Sequence, residues 1–436
     1  MTSQIIFALI LLAAVYFAWK RFSFVRRNIF LGRKTETNGS RADRWGTMLR
    51  VALGQGKMFD KPVVALLHLI IYAGFIIINI ELLEILADGL FGTHRLFAFM
   101  GGFYNILIGS FEILALLVLL ACVVFLTRRN VLRLKRFVMR EMTAWPRTDA
   151  NLILIIEILL MSAFLAMNAA DYTLQSRGAD HYIQAGAFPV SGMIVPLLEN
   201  LTDGTLIIIE RFCWWFHIIG ILAFLVYVTY SKHLHIILAF PNTYYSKLQP
   251  AGSINNLASV TNEVKLMLDP SAVAAPPPAD GVPQRFGAKD VFDLSWIQLM
   301  NAYSCTECGR CTSECPANQT GKLLSPRKIM MDTRDRLEEV GNICNKHQGE
   351  WKDDGRSLLR DYITEEELWA CTTCNACTQA CPININPMEI IIDLRRYLIM
   401  EESKSPESIT VMFNNIENNG APWAMSASDR ANWTHS

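Results

Sequence analysis

Eight cysteines near the C-terminus restrict what this chain can fold into more than any other feature. Cys305, Cys308 and Cys311 are followed by Cys315-Pro316, and Cys371, Cys374 and Cys377 are followed by Cys381-Pro382. Each run reads C-x2-C-x2-C-x3-C-P, the spacing that lets three thiolates wrap one cubane 4Fe–4S cluster and sends the fourth to the cluster of the other run. The expected ligand sets are therefore Cys305, Cys308, Cys311 with Cys381, and Cys371, Cys374, Cys377 with Cys315. The proline after each fourth cysteine turns the chain away. A disulfide framework belongs to small secreted domains, and zinc prefers paired C-x2–4-C elements. Neither needs the triple run twice. Cys344 reads as a structural thiol, and Cys122 and Cys213 as small packing residues in apolar segments.

The rest of the chain reads as membrane. Before Pro241 come five apolar stretches of about the length that crosses a bilayer as a helix: 5–19, 63–86, 103–127, 152–170 and 205–230. The first lacks a basic n-region and a small-residue cleavage site, and Lys20 and Arg21 follow it, so a retained anchor is expected rather than a signal peptide. Orientation follows from Lys and Arg. The loops 20–61 and 128–150 are rich in them, whereas the opposite loops hold little beyond Arg95 and Arg177. Both basic loops are expected in the cytoplasm and the N-terminus outside. An odd number of crossings then delivers the cysteine runs to the cytoplasmic side of a bacterial inner membrane. The formal net charge of zero conceals this polarity and gives no reason to expect nucleic acid.

The fold expected is mainly α: a five-helix transmembrane bundle over 1–240, a linker over 241–290, a helical two-cluster domain over 291–402 and a tail over 403–436. Within the linker, 271–290 is rich in Ala, Pro and Gly and reads as an extended spacer. Ser325-Pro326 looks like a helix start with proline at the first position. Thr364 and Glu367 make a capping box before the second run, and Asn386-Pro387 opens another helix running to Met400.

Ionisable side chains inside apolar spans are costly, which makes them functional candidates. If the fifth helix runs on without interruption, His217 and His235 lie five turns apart, about 27 Å along the axis, on one face. His233 then falls on nearly the opposite face. His68 sits near the cytoplasmic end of the second helix, so antiparallel packing brings it to the depth of His235. Neutral imidazoles there could supply both axial ligands of a b-type haem. The plain alternative is interfacial histidines beside Lys232. His217 faces Ile78 at its depth, with His94 of the outer loop as another neighbour to consider. Glu81, Glu84, Glu112, Glu157 and Glu210 also lie in or near the spans. Each could relay a proton to a quinone or simply bond between helices, and Glu210 could pair with Arg211 at the outer interface.

On these residues the chain resembles known families. "WWFHIIG" with "SKHLHIILAFPN" is similar to the last helix of the nitrate reductase gamma-subunit superfamily of b-type cytochromes, and "LLHLIIYAGF" to its second helix. The cysteine segments resemble the helical dicluster ferredoxin module of heterodisulfide reductase and glycolate oxidase iron–sulfur subunits. The resemblance implies a haem pair at His68 and His235. A second pair would need a partner for His217 where this chain has Ile78, which leaves His217 for another partner, a quinone hydrogen bond or packing. Fused relatives continue into a cysteine-rich CCG domain. The chain given ends at Ser436, so the resemblance implies that domain as a separate subunit, docking with Trp423 and Trp433 of the tail.

The function so implied is an electron-transfer subunit of a quinone-linked oxidoreductase. Electrons from a cytoplasmic CCG-domain subunit, flavoprotein dehydrogenase or electron-transfer flavoprotein would pass through two 4Fe–4S clusters and haem b to membrane quinone. The opposite direction, quinol oxidation feeding a disulfide or sulfur reductase, uses the same residues. A redox-sensing membrane anchor without haem is the non-enzymatic alternative.

Overall fold

The computed structural model describes residues 1–37, 39–250, 252–269, 271, 285–426 and 428–435. Helices account for its regular structure, and the described residues contain no strand beyond two isolated bridges. They form two compact units. One comprises Met1–Arg27, Ser40–Tyr244 and Tyr303–Gly309. The other comprises Asn28–Gly39, Tyr245–Ala302 and Arg310–Ser436.

In the first unit, α1 (Thr2–Ile29), α2 (Pro62–Phe91), α3 (Gly102–Asn130), α4 (Trp145–Arg177) and α5 (Asp203–Val228) are each long and apolar enough to cross a membrane. With no water in a bilayer core to satisfy peptide groups, a spanning segment must bond its own backbone, and helices do so. Helices α1 to α4 run past their apolar stretches at both ends, most of all at the C-terminal end of α1, whereas α5 stops at Val228, just short of the end of its stretch. Consecutive helices pack side by side from α2 to α5. Ile108, Phe111, Ala115 and Val118 of α3 form one core with Leu160, Phe164 and Leu165 of α4. Phe7 and Ala14 of α1 pack with Ile85 of α2 and Ile218 and Leu222 of α5. Large apolar side chains such as Leu9, Leu12 and Phe17 stay exposed on α1, the side left for lipid.

The fifth helix is not continuous, which corrects the premise of five unbroken turns between His217 and His235. Helix α5 stops at Val228, and a short 3-10 turn over Lys232–Leu234 follows. The Ser231 hydroxyl accepts from the His233 amide at 2.9 Å. Helix α6 (His235–Tyr244) then begins with Pro241 inside it. The turn swings His233 toward His235, with ring centroids 5.3 Å apart, instead of onto an opposite face.

The second unit contains α7 (Ala258–Leu268), α8 (Trp296–Ser304), α9 (Arg310–Ser313), α10 (Pro316–Gln319), α11 (Pro326–Lys346), α12 (Glu365–Trp369), α13 (Ala376–Ala380), α14 (Pro387–Met400) and α15 (Glu407–Asn419). The three local signals read from sequence appear. Ser325 caps α11, Thr364 and Glu367 form the reciprocal capping box of α12, and Pro387 opens α14. Most of the proline-rich spacer, 272–284, lies outside the described residues. The remainder of 241–290 is more ordered than a linker. It includes α7, and the Phe286 and Ala288 amides bond Glu401 and the Asp393 carbonyl on and beyond α14.

The unit boundary also departs from the sequence division. The segment after α1 pairs with the start of the cluster unit, where Arg33 N donates to Leu294 O at 2.8 Å and accepts at its carbonyl from Trp296 N at 3.1 Å. Phe30 stacks on Trp296. Arg336 of α11, with no exposed side-chain surface, bonds Asp290 and Asp354 and so holds the chain entering and leaving the first cysteine region.

Gly287 has φ +81°, and a Cβ there would stand 2.3 Å from Asp393 O and 2.5 Å from Tyr397 N. Gly287→Ala should therefore cost about 3 kcal/mol through strain and displaced backbone. Thermal unfolding of the detergent-solubilised protein should show a clearly lower midpoint, and an unchanged midpoint would refute the close approach.

Candidate functional site

The two cysteine runs fold alike. Glu307 and Gly309 in the first, and Thr373 and Asn375 in the second, have positive φ (54° and 73°, 55° and 64°). These left-handed residues flank the second cysteine of each run and curl the backbone around it. The threonine after each third cysteine bonds the residue before a proline-led helix. Thr312 Oγ1 lies 2.9 Å from Ser325 Oγ, and Thr378 Oγ1 donates to Asn386 Oδ1 at 3.0 Å. Helices α9 and α13 pack together.

Cys315, the fourth cysteine of the first run, lines one cavity with Cys371, Cys374 and Cys377 of the second. Leu324, Pro326, Met388 and Ile391 complete its wall. Burial pushes the Cys377 thiol up to about 12, and the neighbouring Cys371 and Cys315 sulfurs push the same way. Cys371 is raised by burial and by Cys315 and Cys374, against a hydrogen bond from Thr373 N. Cysteine sulfurs become thiolates when a bound cation offsets their charge. Among the described residues no three His, Cys, Asp or Glu side chains converge on one metal ion. Cys305 and Cys381 are buried, and Cys308 and Cys311 half-buried. Cys381 Sγ accepts from Ile385 N at 3.3 Å. Cys344 is buried in α11 and Cys122 and Cys213 in the bundle.

In the membrane-spanning unit, His68 and His235 face each other with ring centroids 6.5 Å apart and planes inclined by 46°. His68 Nδ1 lies 3.0 Å from Gln55 Oε1, and His235 Nδ1 lies 3.1 Å from Lys232 O. An acceptor oxygen at Nδ1 favours the tautomer with its proton there and its lone pair on Nε2, the arrangement of a ligating histidine. Burial lowers His235 and brings His233 down to about 3, with His235 and His68 adding to the effect at His233. Burial thus favours the neutral form of both rings. Gln55 carries no sequence signal for its role. Its φ of 51° and its burial mark it only once the structure is known.

His217 is buried, with Nδ1 3.0 Å from Leu160 O and its ring on Phe164. His94 is engaged elsewhere, its Nε2 3.4 Å from Asp171 and its ring against Tyr182. Of the candidate carboxylates, Glu84 and Glu112 join a network organised by Arg95, a residue the sequence presents as a loop charge. Arg95 is 8% exposed. It donates to Asp171 Oδ2 at 2.6 Å, Tyr104 Oη at 3.1 Å and Asn168 Oδ1 at 3.1 Å. Glu84 accepts from Tyr104 and Phe97 N, and Glu112 accepts from Asn168, Val190 N and Ser191 N. Glu210 pairs with Arg211 and accepts from Tyr182. Asn168 and Asp171 near the end of an apolar stretch were the legible clue to this network.

Comparison with known proteins agrees with the cysteine site. Residues 304–385 match the family model described as "4Fe-4S dicluster domain". The chain is 28% identical over 96% of its length to "Probable iron-sulfur-binding oxidoreductase FadF" of Bacillus subtilis, of which it covers 58%. It is 24% identical over 91% of its length to "EtfAB:quinone oxidoreductase" of Syntrophomonas wolfei, of which it covers 54%. A shorter match, 33% over 28% of the chain and 60% of the relative, is to one of the subunits of a ferredoxin/F(420)H(2)-dependent CoB-CoM heterodisulfide reductase of Methanosarcina acetivorans. The chain thus spans a little over half the length of the first two relatives. No solved structure matches it. Five membrane-length helices and a 4Fe–4S dicluster domain define the class of the protein. Its relatives are iron–sulfur oxidoreductases or their subunits.

Arg95→Leu strands Asp171 and the Glu84–Tyr104 pair in a buried layer. Removing one partner of such a network should cost about 3–5 kcal/mol. The variant's thermal midpoint in detergent should fall far below that of a surface control such as Arg177→Leu.

Proposed function

We propose that this chain is the membrane electron-transfer subunit of a quinone-linked oxidoreductase, using two 4Fe–4S clusters and a b-type haem. The observation that carries the reading is the cavity in which Cys315 of one run joins Cys371, Cys374 and Cys377 of the other. That sharing is what two interlocked cubanes require. The second set in this proposal is Cys305, Cys308, Cys311 and Cys381. When bound, the clusters and haem supply one-electron chemistry at potentials set by their surroundings. The protein's part is to space, shield and tune them.

The facing imidazoles support haem at His68 and His235. With about 2 Å for each iron–nitrogen bond, as in other metal–imidazole sites, and about 1 Å from ring centre to nitrogen, one iron needs centroids about 6 Å apart. The 6.5 Å separation meets that need. Gln55 and the Lys232 carbonyl hold the ring orientations. His217, set against Leu160 O and Phe164, is assigned to packing or a quinone hydrogen bond in this reading, not to a second haem.

The basic loops support a cytoplasmic position for the cluster domain, in a bacterial inner membrane. The electron donor proposed is a CCG-domain iron–sulfur protein, a flavoprotein dehydrogenase or an electron-transfer flavoprotein, and the acceptor is membrane quinone. One relative's name, EtfAB:quinone oxidoreductase, supports that pairing. The direction toward quinone is taken from the same name.

Optical spectra test the haem assignment. His68→Ala and His235→Ala should each abolish the Soret and α bands of the purified chain while its iron–sulfur EPR signal persists. His217→Ala should leave the bands in place. A short-chain quinone added to the reduced wild type should reoxidise it, and the His68→Ala chain should respond at least about tenfold more slowly. A wild type without haem bands would favour the redox-sensing alternative.

A further inference from the structure

We propose that Lys232 and Glu307 are a positioning pair that ties the loop bearing Cys305 and Cys308 to the backbone that aims His235. The inference rests on the functional reading above and adds residues that no cofactor touches.

Lys232 follows the break after α5, and its groups are engaged on every side. Its amide donates to Asp149 Oδ2 at 3.1 Å, and its carbonyl stands 3.1 Å from His235 Nδ1. Its ammonium donates to Pro146 O at 2.6 Å and to the Glu307 carboxylate. Asp149 is held in turn by the Tyr227 hydroxyl at 2.5 Å. The Lys232 side chain is 9% exposed, and those of Glu307 and Asp149 are 2%. One residue therefore orients an imidazole through its carbonyl and grips a cysteine loop through its ammonium.

The second run supplies an internal control. Thr373 occupies the position of Glu307, between the first and second cysteines, with nearly the same φ (55° against 54°). The curl of the loop thus does not need a carboxylate. Glu307 departs from its counterpart in offering a charge, and that charge meets Lys232. A buried ion pair is a poor source of net stability, because desolvation offsets most of its attraction. What it does supply is fixed geometry. Moving Glu307 pulls on Lys232, and moving Lys232 rotates the acceptor that holds His235. The pair makes the spacing between the Cys305–Cys308 loop and the imidazole a fixed quantity, which electron transfer requires.

The test uses the full chain with its cofactors. Lys232→Met combined with Glu307→Leu replaces the pair with apolar groups and leaves neither partner unpaired, while Asp149, 3.8 Å from the Lys232 ammonium, keeps its bonds from the Lys232 amide and the Tyr227 hydroxyl. Iron content and haem absorbance should stay at wild-type levels. The rate at which reduced clusters reduce the haem, followed by stopped-flow at the α band, should fall about tenfold or more. The low-spin haem EPR g values should also shift as the His235 ring turns. Lys232→Arg, which keeps a cation and the carbonyl, should stay within about twofold of wild type. If the double variant loses iron or haem, Glu307→Gln decides, since it keeps shape and removes the charge, and its haem reduction should be slower. Unchanged rate and g values in a fully loaded double variant, or in Glu307→Gln where that decides, overturn this inference alone. A wild-type chain lacking haem or clusters overturns the functional reading and this inference together.

Discussion

The fold of the cluster unit depends on a sulfur that crosses from one cysteine run into the cavity of the other. Cys315 caps α10 at the end of the first run, yet it faces Cys371 and Cys377 across a wall of Leu, Met and Ile. Burial and the neighbouring sulfurs push the Cys371 and Cys377 thiols toward the protonated form. Iron changes that balance, because the metal's charge makes thiolates favourable where solvent does not. Under the proposed reading, assembly of the clusters and closure of the module would be one event, as in other proteins whose metal-binding free energy is folding free energy. The repeated left-handed residues and the repeated Thr-to-cap hydrogen bonds show the same local solution used twice.

The membrane-spanning unit places its polar chemistry in separate layers. Around Arg95, Asp171, Asn168, Tyr104, Glu84 and Glu112 bond one another across α2, α3 and α4. In a low-dielectric interior a half-satisfied network is worse than none, and this one joins helices that apolar contacts alone would leave free to slide. The other layer holds His68, His233 and His235 at the break between α5 and α6. The break has a function under the proposed reading. Freed from α-helical geometry, the Lys232 carbonyl can reach the His235 ring, which a helix that ran through would forbid.

Much of this was legible in the sequence, because the signals were local or obeyed a fixed spacing. Apolar length marked all five spans. Ser325-Pro326, Thr364 with Glu367, and Asn386-Pro387 marked three helix starts, since capping is decided within one turn. The approach of His68 to His235 followed from depth in antiparallel helices. What escaped notice depended on partners distant in the chain. Arg95 looked like a loop charge until Asp171 and Asn168 surrounded it, and Gln55 gave no hint of serving His68. The Arg33 pairing with Leu294 and Trp296 joins residues far apart in sequence, so Asn28–Gly39 falls in the cluster unit although the sequence division put it with the membrane helices. The break at Ser231 is hard to read because a single 3-10 turn leaves no periodicity of its own.

The central claim is that two interlocked cubanes share ligands between the runs. It is tested most directly by metal analysis and EPR of anaerobically purified full-length chain. The account predicts about eight irons and matching labile sulfide per polypeptide, with a dithionite-reduced spectrum broadened by coupling between two nearby reduced clusters. Zinc in place of iron, or a single uncoupled cluster at about four irons, would contradict it.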